Sequence, residues 1–193
     1  MIKQRTIKQT ASAVGIGLHS GRKVKLVMRP APPDTGIVFR RVDITPAVDL
    51  PSRAESVNDT RLATTLNEGK VIVSTIEHLM SALNGLAIDN LIVEIDAPEI
   101  PIMDGSGATF VYLIRNAGIL EQPVPRRFVR VKKTVEVRDG DKWARLEPHN
   151  SMILDFAIAF GHPAIDSTVQ HAVVDLGLET YEQAVSPART LGL

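Results

Sequence analysis

Cysteine is absent from the 193 residues. That excludes disulfides, thiolate zinc sites and cysteine nucleophiles, so any metal must be held by His, Asp or Glu. Aromatic residues are scarce, at 4%, and net charge is nil, with 22 Lys plus Arg against 22 Asp plus Glu. Few stacking rings and no bulk charge count against an RNA-binding α+β module and against a protein held to an anionic membrane. Long apolar runs are missing too. The longest notable uncharged stretch, residues 79–88, contains Ser81, Asn84 and Gly85, and falls far short of the roughly 20 apolar residues of a membrane span. The opening Met1-Ile2-Lys3-Gln4-Arg5-Thr6 has no apolar segment after its basic residues, so it does not read as a secretory signal. A cytoplasmic setting with no nucleic-acid partner and no integral membrane segment is the expectation. What is present is 44% apolar and 23% charged residues, the balance of a soluble globular protein of one large domain or two small ones.

The first third reads as strands. Residues 23–28 are β-like and stop at Arg29-Pro30-Ala31-Pro32-Pro33, and 36–40 and 71–73 are further strand candidates. The clearest signal in the chain is helical: Ile76, Leu79, Met80, Leu83 and Leu86 recur at helical spacing. Ser74 with Glu77 three residues on predicts an N-cap and a capping box. Residues 91–95 predict a strand. A second helix should start near Ser106, bury Phe110, Leu113, Ile114 and Ala117, and stop at Gly118. Gln122-Pro123-Val124-Pro125 reads as a linker. Beyond it, Val129, Val131, Val135 and Val137 alternate with polar residues as one long strand or a strand pair, and Asp139-Gly140 marks a hairpin turn. Trp143 to Leu146 and Ile153 to Ile158 continue the sheet.

The segments opening at Arg5 and at Arg127 look alike: strand, glycine turn with lysine, strand, proline, strand. The fold class expected is therefore α+β with two repeated layered domains. The first covers 1–121, a linker covers 122–126, and the second covers 127–193 without its helix–strand–helix part. A sheet lacking its covering helices should expose an apolar face and aggregate.

Chemistry centres on Ser74-Thr75-Ile76-Glu77-His78. At about 100° per residue, His78 faces away from the apolar stripe and Glu77 lies on its flank. A neutral imidazole there could ligate a metal, with the carboxylate as base toward water. On spacing alone the plainer reading is stronger: Glu77 completes a capping box and His78 is solvated. His162 with Asp166 on a turn and His19 in Gly15-Ile16-Gly17-Leu18-His19-Ser20-Gly21 are weaker candidates, and those glycines are not a dinucleotide fingerprint. His149 and His171 read as surface residues.

These residues carry a resemblance. The opening Met-Ile-Lys-Gln-Arg-Thr, Gly17-Leu18-His19-Ser20-Gly21, Ser74-Thr75-Ile76-Glu77-His78-Leu79 and Ile88-Asp89-Asn90 resemble the zinc-dependent UDP-3-O-acyl-N-acetylglucosamine deacetylases of lipid A biosynthesis. So do Ala97-Pro98-Glu99-Ile100-Pro101-Ile102-Met103-Asp104-Gly105-Ser106, Asp139-Gly140-Asp141-Lys142-Trp143, Phe160-Gly161-His162-Pro163-Ala164-Ile165 and Arg189-Thr190. The motifs come in order across essentially the whole chain.

The resemblance implies two domains, each a sheet layered with two helices, an active site between them, and a hydrolase. It implies a Zn2+ cofactor held by two histidines and an aspartate, and a UDP-linked acylated amino sugar as substrate. By position, His78 is the first zinc ligand, Glu77 the general base and Thr190 the hydroxyl that supports the oxyanion. Leu62 matches a site-lining position, and Lys142 and Phe160 match positions near the UDP moiety. The family's remaining ligands and its general-acid histidine lie beyond Leu193, so the chain is expected to be an inactive fragment. The rival expectation is a non-catalytic module holding a sugar nucleotide or a protein partner through the same cleft.

Overall fold

The computed structural model describes residues 1–159 and 170–189. Of these, 1–126 with 186–189 form one unit, and 127–159 with 170–185 form another.

In the first unit the chain runs β1 (Lys3–Ile7), β2 (Ala11–Ile16), β3 (Lys23–Pro30), β4 (Ile37–Arg41), β5 (Val48–Pro51), a 3-10 turn (Ala54–Ser56), β6 (Val57–Asp59), β7 (Thr65–Glu68) and β8 (Val71–Val73). Helix α1 (Glu77–Gly85), β9 (Leu91–Ile95), α2 (Ala108–Ala117) and β10 (Ile119–Pro125) follow. Five strands form a sheet in the order β2-β3-β9-β4-β5, in which only β4 and β9 run parallel. β6-β7-β8 make a small antiparallel sheet, and β1 pairs with β10.

Alternation decides which face is buried. Met28 stands opposite Val93, Val93 opposite Phe39, and Phe39 opposite Leu50. All four are essentially without solvent contact. Helix α2 packs on β2 and on α1. It buries Phe110, Val111, Ile114 and Ala117, while α1 buries Leu79, Ala82 and Leu83. Leu113 is only half-buried, because the helix presents Val111 to the core instead. Gly118 ends α2 at φ 72°, a left-handed value that glycine takes without a Cβ penalty.

Residues 122–125, expected as a linker, lie inside β10. Buried polar pairing explains the difference. The Gln122 side chain donates to the Ala31 carbonyl at 2.8 Å and accepts from Asn90 Nδ2 at 2.7 Å. The same Asn90 Nδ2 donates to Gln4 Oε1 at 2.8 Å, and Asn90 Oδ1 accepts the Gly36 amide at 2.9 Å. Next to it, Asp89 accepts the Arg5 amide at 2.8 Å and pairs with Arg126 at 2.9 Å. Asp89 and Asn90 thus fasten the β1–β10 ribbon to the loop before β4. A Pro-containing edge strand survives because β10 has a ladder partner on one side.

The second unit contains the hairpin β11 (Val135–Asp139) and β12 (Lys142–Leu146), the antiparallel pair β13 (Ile153–Ala157) and β14 (His171–Asp175), and a single helical turn, α3 (Tyr181–Ala184). Gly140 takes φ 60° in the hairpin turn. The strand expected from Val129 onward begins only at Val135. Among the described residues no strand is laddered to 129–134, whereas β1, its suggested counterpart, has β10. Val137, Trp143, Leu146, Phe156 and Val173 are each more than half exposed. No described helix is long and apolar enough to cross a membrane.

Asn90 is 1% exposed, and replacing it takes the acceptor from the Gly36 amide and the donor from Gln122 Oε1, while Gln4 Oε1 keeps only the Asp34 amide. Asn90→Ala should therefore cost about 2 kcal/mol or more in urea unfolding. A loss below about 0.5 kcal/mol would show that the amide cluster does not hold the ribbon.

Candidate functional site

The site begins at a bend before α1. Ser74 donates its amide to the Pro98 carbonyl at 2.9 Å, and its own carbonyl accepts the Ile100 amide at 2.9 Å. Thr75 then turns left-handed, at φ 58°, and the helix starts at Glu77. The capping box expected from Ser74 and Glu77 is not formed. Ile76 is the N-cap, with helical angles and no side-chain cap bond. Ser74 is held too far back by its ladder to residues 98 and 100, and its hydroxyl accepts from Thr65 Oγ1 at 2.9 Å instead.

Freed from capping, the Glu77 carboxylate reaches across the chain and accepts the Thr64 amide through Oε2 at 3.0 Å. The Thr64 carbonyl in turn receives the Ile76 amide at 3.4 Å. Glu77 and His78 are both half-buried, side by side in the first turn of α1. The loop carrying Leu62 is thereby tied to the helix start. Leu62 itself is 90% exposed and left-handed at φ 65°. Its loop is set by Arg61, which forks onto Asp59 with bonds of 3.0 and 2.8 Å. That guanidinium holds the Asp59 carboxyl well below the usual carboxylate range.

Behind the bend lies a buried acid. Glu99 is 3% exposed. Its oxygens accept the His19 and Ser20 amides, each at 2.9 Å, and the Thr75 hydroxyl at 3.2 Å. Burial pushes this carboxyl up, but the bonds from His19, Ser20 and Thr75 outweigh it and hold Glu99 below its ordinary value. Gly17 makes room: a Cβ there would lie 2.4 Å from Glu99 Oε2. A second acid, Asp104, accepts the Ser106 and Thr109 hydroxyls at 2.8 and 2.9 Å. Its other oxygen lies 3.5 Å from the Arg189 guanidinium, and Ser106 bridges Arg189 through the backbone.

The remaining expected site residues belong to the second unit or lie outside the described residues. Lys142 is exposed on β12 of the second unit, next to Trp143, whose ring centroid is 5.1 Å from the Arg145 guanidinium carbon. Phe160, His162 and Thr190 lie outside the described residues. His149 and His171 are exposed surface groups, bonded to Ser151 and Asp155.

A catalytic zinc wants about three protein ligands and an open position. His78 offers one imidazole beside a carboxylate. Among the described residues no group of three His, Asp or Glu comes together. The described residues therefore fit one part of a zinc site and do not hold the ion by themselves.

The chain matches the family model described as UDP-3-O-acyl N-acetylglycosamine deacetylase over residues 4–193. The chain belongs to this family. It is also 55% identical, over all its 193 residues, to a UDP-3-O-acyl-N-acetylglucosamine deacetylase of Pseudoalteromonas atlantica. It spans 64% of that relative's length.

Thr64, Thr75 and Glu99 escaped the sequence reading. Glu99 stood inside the Ala97–Ser106 motif, between two prolines, but carried no periodic signal that it would be buried. Its folded-state value lies below the unfolded one, so on acidification the unfolded chain takes up that proton first. The contribution is complete above the ordinary carboxylate range and is lost as pH falls through it. Urea midpoints should fall from neutral to acid pH, and fall less steeply in Glu99→Gln; equal slopes would remove Glu99 from this account.

Proposed function

We propose that the chain carries the proton-accepting carboxylate and one metal ligand of a zinc-dependent deacetylase. That enzyme hydrolyses the acetamide of UDP-3-O-(3-hydroxyacyl)-N-acetylglucosamine in lipid A biosynthesis. The observation that carries the reading is the Glu77–His78 pair, half-buried at the start of α1, in a chain of the deacetylase family. Because the substrate is a nucleotide-activated sugar, the reading places the reaction in the cytoplasm.

The roles follow from what each group can do. His78 has a ring nitrogen to offer as a ligand. When bound, zinc supplies Lewis acidity and favours a deprotonated water nucleophile. The Thr64 amide engages Oε2 of Glu77 and leaves Oε1 to take up the proton of the attacking water. That amide also fixes the carboxylate's orientation, which is worth more than basicity alone. The Thr190 hydroxyl donates to the oxygen on which charge develops. The carbon–nitrogen bond then breaks, giving acetate and the free amine. Leu62 lines the substrate path, and Lys142 and Phe160 contact the nucleotide sugar. The other two zinc ligands and the general acid come from sequence outside these 193 residues, in line with the relative's greater length.

Glu77→Ala in a version carrying the missing ligands should lower kcat by about 10²- to 10⁴-fold, the range for a lost general base. A loss under about threefold would take Glu77 out of that role. The 193-residue chain alone should bind zinc weakly or not at all and turn nothing over. One tightly held zinc per chain, together with activity, would overturn that.

A further inference from the structure

Thr75 is the backbone outlier closest in sequence to the Glu77–His78 pair. A β-branched residue at φ 58° is strained, and such strain persists only where the surroundings over-determine the conformation. The restraints converge on Glu99. The Ser74 amide and carbonyl are laddered to Pro98 and Ile100, on either side of Glu99. The Thr75 hydroxyl, itself buried, donates to Glu99 Oε1 at 3.2 Å. Beyond that, the two Glu99 oxygens are anchored by the His19 and Ser20 amides at 2.9 Å, so the carboxylate is not free to follow Thr75. Gly17 leaves the space into which the carboxylate fits. Only an ionised carboxylate accepts at both oxygens; a glutamine would turn a donor toward a donor. A buried charge satisfied by neutral donors is an expensive way to fill space.

We propose that Glu99 is a positioning residue: by holding Thr75 in its left-handed conformation, it sets where the chain enters α1 and hence where Glu77 and His78 project. Were Thr75 to relax to extended angles, the Thr64–Glu77 and Thr64–Ile76 bonds could not both persist. Thr64 therefore reports on the arrangement. The functional weight of the proposal rests on the reading of Glu77 and His78 given above, whereas its structural core does not.

The test is amide exchange and His78 ring resonances by NMR in the 193-residue chain. In Glu99→Gln, the Thr64 amide should exchange at least about tenfold faster and the His78 ring signals should move, while Leu26 and Val93 in the central sheet keep their protection. Adding Thr75→Gly should return Thr64 to within about threefold of its original rate, because glycine adopts the left-handed angle unaided, and should leave Ser20 fast. A role in stability alone would speed exchange everywhere and would not be rescued by glycine. Unchanged Thr64 and His78 signals in Glu99→Gln, or no rescue, overturns the proposal. Should Glu99→Gln fail to fold, Thr75→Val removes only the hydroxyl donor; it should loosen Thr64, and retained protection there overturns the proposal equally. Zinc titration of a version carrying the missing ligands separates the two claims. A His78 that does not respond counts against its reading as a ligand and leaves the exchange result standing.

Discussion

A buried carboxylate joins three segments that are distant in sequence: the turn after β2, the bend before α1, and the run from β9 to α2. No lysine or arginine is among the main influences on Glu99; amides and hydroxyls satisfy it. That choice of partners matters. Amide donors are rigid because the backbone carries them, so the carboxylate transmits the position of the main sheet's β2–β3 turn to the helix start. A lysine counter-ion on a flexible stem would not. The left-handed Thr75 is stable only inside this frame, and the direction in which Glu77 and His78 leave the helix start follows from it.

The second constraint is the amide cluster around Asn90. It has the same logic with neutral groups: each buried donor meets an acceptor, and the penalty of burial becomes an obstacle to any other arrangement. Together the two nodes account for motifs that look alike on paper. Ile88-Asp89-Asn90 and Ala97–Ser106 both sit in the run of family signatures. One fastens a strand ribbon and the other braces the helix that bears the candidate base and ligand.

Much of the architecture was legible beforehand. The strands at 23–28, 71–73 and 91–95 and both helices of the first unit follow from period and from punctuation by proline and glycine, although the first of these strands runs on to Pro30. The Gly118 stop was readable because only glycine takes its angle cheaply. The errors share one cause. The Ser74–Glu77 capping box is a local rule, and it lost to a ladder formed with residues 98–100, about two dozen positions away. Residues 122–125 look like a linker because two of the four are prolines, yet Gln122 is buried by partners at 31 and 90. The strand begun at Val129 had the right alternation but has no laddered neighbour among the described residues.

From the sequence alone came the class of fold, the family signatures and the pairing of an imidazole with an acid, because those depend on residue type and short spacing. Tertiary structure decided that Glu77 bonds Thr64 rather than its own helix end, that Thr75 is left-handed, and that Glu99 is an internal brace. The reason is physical: a local hydrogen bond contributes about 1 kcal/mol net, which long-range burial readily overrides. Which acids end up inside depends on what the rest of the chain brings to meet them.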